Sequence, residues 1–332
     1  MSAKRIYILT EGGGSKGLGH ISRCLSLSQA FTEYGFASAM VINGEGIDAG
    51  ILAATNAEEL DWITKEEEIL SMTNQADLVI IDSYICPQHI YQKIAAVVSV
   101  AAYIDDTLRI DYPEGIVING VLNASELNYP LKKGLTYLLG KEYSFLRKEF
   151  WNVPEKQINA ELHSVMVSCG GNDENGFSYQ IVKTLVENYP SLHIKVILKN
   201  REMDKFSYIK EHATVLTELD ADEMKTVMME SDIAVTASGQ TTYELCRIGT
   251  PFIALVTADN QWFSIGHFHK KGLIQEPICS DDAQLEKKIL DQLKILSSHT
   301  TRQNLHDKMK QTISGRGSLN VVDHLLKTIN NY

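Results

Sequence analysis

His20 follows a glycine-rich stretch, Glu11-Gly12-Gly13-Gly14-Ser15-Lys16-Gly17-Leu18-Gly19, and opens an amphipathic segment. Glycines there let the backbone approach a ligand closely, and a histidine in the first turn of a helix sits at the positive end of the macrodipole. That field disfavours the imidazolium and keeps the ring available as a neutral base. A lone histidine that caps the helix or packs in a polar pocket is the alternative. A second stretch, Thr236-Ala237-Ser238-Gly239-Gln240-Thr241-Thr242-Tyr243-Glu244, passes from an apolar run into a helical pattern. The open N–H groups of such a helix start suit an anion and can hold two phosphates. Glu244, one turn in, can accept hydrogen bonds from vicinal ribose hydroxyls or complete a capping box. Ser168-Cys169-Gly170-Gly171-Asn172-Asp173 is a further glycine turn, read either as part of the same ligand site or as a plain βα turn.

Other patterns point away from common chemistries. Gly12, Gly14 and Gly17 satisfy G-x-G-x-x-G, but the acidic residue of a dinucleotide site is missing after Val41-Ile42-Asn43-Gly44, where Glu45 comes late. Lys16 precedes Gly17 rather than Ser or Thr, so there is no P-loop. Asp220-Ala221-Asp222 resembles a metal-clamping D-x-D, yet it stands where a helix begins and reads as an N-cap. His267-x-His269 lacks further ligands nearby and fits a solvent-facing helix. No metal and no cofactor is assigned.

These residues need elements to carry them. Short apolar runs bounded by turn residues alternate with amphipathic stretches, the pattern of βα units on a parallel sheet. The expected strands are 5–10, 38–42, 78–82, 100–104 and 115–118, with a helix over 20–34. A second series follows, with strands over 164–168, 194–198, 214–216, 233–236 and 252–256 and helices near 175–188, 221–230 and 240–248. The boundary falls between Arg147 and His163, where Pro154 stops regular structure. Leu319, Val322, Leu325, Leu326 and Ile329 predict a packed terminal helix, with Gly315-Arg316-Gly317-Ser318 as its N-cap.

Bulk properties narrow the partners. At 332 residues the chain is about twice a usual domain. A formal net charge of -11 supplies no basic field for nucleic acid or an anionic membrane surface. The five cysteines, Cys24, Cys86, Cys169, Cys246 and Cys279, are scattered without a C-x-x-C pair, which suits a reducing, cytoplasmic compartment. The apolar start Ile6-Tyr7-Ile8-Leu9 is too short for a signal peptide, and no apolar run reaches the roughly 20 residues of a membrane span.

Gly17-Leu18-Gly19-His20-Ile21-Ser22-Arg23-Cys24-Leu25 resembles the G-x-G-H-x-x-R-x-L loop of the UDP-sugar hydrolases of the pseudaminic acid pathway. That family lies within the glycosyltransferase-B (GT-B) superfamily, which includes the lipid II synthase MurG. Ile81-Asp82-Ser83-Tyr84, Ile104-Asp105-Asp106, Gly170-Gly171-Asn172-Asp173, Ser238 to Glu244 and Ala258-Asp259-Asn260-Gln261 are similar in the same order. The loop before His20 is longer and richer in glycine than the family's acidic-serine form, and Gln240 stands where Gly or Ser is usual.

The resemblance implies an α/β fold of GT-B type: two Rossmann-like, doubly wound parallel-sheet domains with a cleft between them. The first would cover 1–150, with the helix over 316–332 free to pack back on it, and the second, nucleotide-binding, would cover 162–315. It makes His20 the catalytic base and assigns the nucleotide and its phosphates to Gly239, Gln240, Thr241, Thr242, Glu244, Gly170 and Gly171. Gly17, Gly19, Arg23, Asp82, Tyr84, Asp105, Asn260 and Gln261 would meet the sugar. The expected reaction is hydrolysis of a UDP-linked amino sugar by a monomer or weak homodimer, without metal, nucleic acid or membrane insertion. Transfer to a hydroxyl acceptor is the alternative. A hydrolysing 2-epimerase would need carboxylates such as Asp82, Asp105 and Asp106, and a non-catalytic sensor would bind without turnover.

Overall fold

The computed structural model describes residues 4–13, 18–45, 56–169, 176–198, 206 and 212–330. The chain divides into two compact units, one formed by Met1–Lys148 and Gly315–Tyr332 and the other by Glu149–Ser314.

In the first unit the strands are β1 (Ile6–Glu11), β2 (Ala39–Asn43), β3 (Ala57–Glu59), β4 (Leu78–Asp82), β5 (Val100–Ile104), β6 (Gly115–Asn119) and β7 (Leu135–Leu139). They form one parallel sheet in the order β3-β2-β1-β4-β5-β6-β7. Between them run α1 (Gly19–Glu33), α2 (Glu66–Thr73) and α3 (Gln88–Ala95). β4 and β5 are buried at every position. A strand covered on both faces has no polar side to alternate, which is why these segments read as unbroken apolar runs. The chain leaves β1 toward β2 on one side and returns through β4 on the other, so the gap between β1 and β4 is the topological switch point of the sheet.

The second unit repeats the plan with β8 (Ser164–Ser168), β9 (His193–Leu198), β10 (Ala213–Thr217), β11 (Ile233–Ala237), β12 (Phe252–Val256) and β13 (Ile278–Cys279), in the parallel order β10-β9-β8-β11-β12-β13. Its helices are α4 (Phe177–Asn188), α5 (Ala221–Glu230), α6 (Gln240–Ile248), α7 (Gln261–Lys270), α8 (Leu285–Leu296) and α9 (His299–Thr312). Its switch point lies between β8 and β11. The stretch leading into β8 is tied down by buried cations. Lys156 Nζ donates to the carbonyls of Met229 and Ser231 at the end of α5, and Arg302, 0% exposed, donates to those of Leu296, Ser297, Asn159 and Ala160.

The terminal helix, α10 (Gly317–Asn330), belongs to the first unit. Ser318 is not its N-cap: it lies inside the first turn, 0% exposed, with its hydroxyl 2.6 Å from that of Ser26 on α1. A glycine is needed just before it, because a Cβ on Gly317 would lie 1.9 Å from the Ser144 carbonyl oxygen. Asp220 caps α5 as its sequence position predicts, in a full capping box with Glu223. The histidine pair on α7 departs from expectation. His267 is 6% exposed and packs inward beside Ile265 and Phe268, while His269 is exposed.

Candidate active site

The register of the first sheet sets the site. Thr10 of β1 pairs with Asp82 of β4, which puts Glu11 beside Ser83 at the C-terminal edge of the switch point. Trp62, fully buried, donates its indole N–H to the Thr10 carbonyl and fixes the end of β1. α1 starts next to this edge and presents His20 and Arg23, one turn apart on the same face.

Asp82 is 0% exposed and all its lone pairs face donors. Arg23 grips it bidentately, Nε on Oδ2 and Nη2 on Oδ1, each at 2.5 Å. His20 Nδ1 lies 2.8 Å from Oδ1, and the Cys24 thiol donates to Oδ2 at 3.4 Å. Burial alone would push this carboxyl up, but the charges and hydrogen bonds of Arg23 and His20 outweigh it and hold Asp82 well below the usual carboxylate range. Burial likewise works against the Arg23 charge, and Asp82 with Asp106 more than restores it. The pair is therefore ionised, and its negative end faces the imidazole. Arg23 Nη2 also lies 2.9 Å from Nδ1, so the ring proton is assigned and not seen; placing it on Nδ1, opposite the carboxylate, leaves Nε2 as an acceptor. Nε2 in turn lies 4.0 Å from Oε1 of Glu11.

Tyr84 closes the ring's other side, edge-on at 4.6 Å between centroids, and its hydroxyl donates to Asp106 Oδ2. Burial and the Asp106 charge raise the phenol well above its ordinary value, so it remains a donor at neutral pH. Asp105 stands apart from the cluster. It is 3% exposed, and its oxygens accept the Thr107 and Arg109 N–H groups and the Tyr129 hydroxyl. Asp106, not Asp105, contacts Arg23, at 3.5 Å.

In the second unit α6 begins directly after β11. Gly239 occupies its N-cap position in an extended conformation, and no side chain caps the helix. The Thr242 hydroxyl turns back to the Gly239 carbonyl at 2.7 Å, and Ser238 bonds Leu255 through both its N–H and its hydroxyl at 2.8 Å. Thr242 is thus not the acceptor of a capping box, and Glu244 lies two residues beyond the position such a box uses. A Cβ built on Gly239 meets no protein atom within 4 Å, and its φ of -108° suits any residue. Neither packing nor backbone conformation asks for glycine there. Glu244 is 1% exposed. Asn260, exposed, stands before α7, and Gln261 accepts the Thr257 N–H at 2.8 Å. Gly17, Gly170 and Gly171 lie outside the described residues.

Arg23, His20, Asp82 and Tyr84 are thus brought together, with Gly19 opening α1 beside them. Glu11 and Asp106 complete the group. Glu11 reads from sequence as the first residue of the glycine loop, although a carboxylate directly after an apolar strand, ending where ligands bind in doubly wound sheets, was the available signal.

No family model matches the chain. Among solved structures it is similar to MurG of Acinetobacter baumannii, with a TM-score of 0.68 and 11% identity over 98% of this chain and 99% of that one. It is also similar to the calicheamicin glycosyltransferase CalG4, with a TM-score of 0.65 and 13% identity over 99% of both. The chain has the GT-B fold. Sequence relatives of this GT-B chain are distant. An uncharacterized protein of Methanocaldococcus jannaschii is 22% identical over 76% of the chain. A Helicobacter pylori protein named pseudaminic acid cytidylyltransferase and UDP-2,4-diacetamido-2,4,6-trideoxy-beta-L-altropyranose hydrolase is 24% identical over 82% of it. The chain spans about half the length of these two, 55% and 48%. The spore coat polysaccharide biosynthesis protein SpsG of Bacillus subtilis is 20% identical over 95% of the chain and 96% of its own length. No helix among the described residues is long and apolar enough to cross a membrane.

Proposed function

We propose that this chain is a nucleotide-sugar hydrolase that cleaves the anomeric C–O bond of a UDP-linked amino sugar of the diacetamido-trideoxyhexose type, in the making of a surface polysaccharide or nonulosonic acid. The observation that carries the reading is the His20 imidazole held at Nδ1 by an ionised, fully buried Asp82. The name of the Helicobacter pylori relative supports the substrate, and that of SpsG supports the polysaccharide setting.

His20 Nε2 takes a proton from water as the oxygen attacks the anomeric carbon, and Asp82 stabilises the imidazolium that forms. UDP departs with the bonding electrons. Its phosphates are taken by the uncapped start of α6 at Gly239, Gln240, Thr241 and Thr242, and its ribose by Glu244. A nucleoside diphosphate leaves without protonation, so a single base suffices. The likeness to CalG4, named as the calicheamicin glycosyltransferase, favours a second reading in which a hydroxyl acceptor replaces water.

The test is incubation with UDP-sugars, including diacetamido sugars, in EDTA without acceptor, following free sugar by NMR. Free sugar should appear, and His20→Ala should slow it by about 10² to 10⁴-fold while UDP still binds. Sugars that stay intact until an acceptor is added would establish transfer, and binding without either would leave a sensor.

A further inference from the structure

Glu11 is a buried carboxylate, 4% exposed, at the end of β1. It is held from one side: Oε2 accepts the Ser83 hydroxyl at 2.5 Å, and Oε1 accepts the Tyr84 N–H at 2.8 Å. A carboxylate oxygen has two acceptor positions, so Oε1 keeps one, and it lies 4.0 Å from His20 Nε2. Nδ1 lies 2.8 Å from Asp82 Oδ1 and 2.9 Å from the donor Arg23 Nη2; in the tautomer assigned here, with the ring proton on Nδ1 toward Asp82, Nε2 is an acceptor as well. Two acceptors at this separation cannot bond each other. One oxygen carrying two hydrogens can donate to both, at about 2.8 Å each.

Water has two such hydrogens, and an alcohol has one. An alcohol in this place would satisfy either Glu11 or His20 and turn its alkyl carbon toward the other, leaving a buried acceptor unmet. The two acceptors come from neighbouring elements, β1 and α1, and the strand that carries Asp82 also supplies the Ser83 and Tyr84 groups that fix Glu11. Glu11 is thus fixed on the sheet, and the His20 ring is held by Asp82 on the neighbouring strand.

We propose that Glu11 is a second catalytic carboxylate, which with His20 holds the attacking water and selects it over a hydroxyl acceptor. The proposal rests on the reading of His20 as the base. In the step, one water hydrogen passes to Nε2 while the other stays donated to Glu11. The oxygen bonds to the anomeric carbon as the bond to the diphosphate breaks, and its electron pair leaves with UDP. The proton on His20 then returns to solvent, which balances the reaction.

The test compares wild type, Glu11→Gln and Glu11→Ala on UDP-sugars in buffer containing methanol, a one-hydrogen nucleophile. Glutamine keeps the size of the side chain and can still accept the Tyr84 N–H. Wild type should give free sugar with little methyl glycoside. Glu11→Ala should lose about 10²-fold in kcat with KM nearly unchanged, and its methyl glycoside share should rise severalfold; Glu11→Gln, whose amide oxygen keeps the second acceptor position, should hold a product share close to wild type. Equal product shares in wild type and Glu11→Ala, or ready methanolysis by wild type, would overturn the proposal. A substrate-free check is a high-resolution crystal structure of wild type and Glu11→Ala. A water bonded to both Nε2 and Oε1 in the first and missing in the second supports the proposal, and a wild-type site without it overturns the proposal. If wild type leaves every UDP-sugar intact, it is the hydrolase reading that has failed, and the water density alone decides the place of Glu11.

Discussion

At the switch between β1 and β4 the first unit gathers Glu11, Asp82, Arg23, His20, Tyr84 and Asp106 into a side-chain network centred on Asp82, with acceptors of Glu11 and His20 facing each other at 4.0 Å. At the corresponding switch between β8 and β11, the described residues at the mouth of α6, Ser238 to Thr242, carry no charge, no side chain caps the turn, and Gly239 faces open space. The topology is shared, and the chemistry differs. Side chains, which can gain and lose protons, furnish one switch point; backbone N–H groups, which cannot, furnish the other. A proton-transfer site needs titratable groups locked by partners, and an anion site needs donors left open, so on the proposed function the same edge of the same kind of sheet would serve complementary tasks.

The sharpest way to break this contrast is to remove the charge at the centre of the first network. Asp82→Ala leaves Arg23 without its partner, and losing one member of a buried ion pair costs about 3–5 kcal/mol. Urea unfolding should show that loss, while UDP affinity, which the proposed function places on the other unit, stays near wild type. pH adds a check of sign. Because Asp82 is held below its ordinary value of 3.8 in the fold, its contribution is fully present above about that pH. It is lost as pH falls further toward the native value. Asp82→Asn should flatten this acid-side fall in stability, and an unchanged profile would show that the pair does not carry it.

A smaller effect separates the units by packing. Gly317→Ala drives a methyl group into the Ser144 backbone, and such overpacking costs about 1–3 kcal/mol. Melting of the first unit should move down, and UDP affinity should not. The last prediction sharpens the other side. Gly239→Val meets no protein atom and keeps an allowed backbone, so the melting temperature should hold. A side chain in the path of the phosphates should weaken UDP binding about tenfold, roughly the loss of one good hydrogen bond. Calorimetry showing unchanged affinity would remove the anion role from this helix start.

Much of the fold was legible because buried parallel strands write themselves as apolar runs. β3, with only three residues and two of them exposed, and β7, with a single buried position, lack that signature and escape it. Within the site, His20, Arg23, Asp82 and Tyr84 were found through a resemblance whose residues lie on three separate elements, and the structure adds the hydrogen bonds that couple them. Two residues show what sequence hides. Asp105 and Asp106 are neighbours of identical type, and only the turn after β5 decides that the first is consumed by backbone N–H groups while the second reaches Arg23. Glu11 reads in sequence as the start of a loop, because its role comes from the pairing of β1 with β4, whose partners lie 72 positions away in register. His267 failed differently, since spacing along a helix cannot say which polar residue faces inward when several share one turn.

The return of α10 to the first unit has a consequence for how the protein is made. The second unit is one unbroken stretch of chain, whereas the first is interrupted by it and is finished only by residues synthesised afterwards. During translation, the strands carrying Glu11 and Asp82 emerge early but must wait for Gly317 and Ser318 before α1 has its full cover. The unit that carries Gly239 can complete first, and the unit that carries His20 becomes whole last, so on the proposed function a nascent chain would acquire its grip on UDP before its capacity for chemistry.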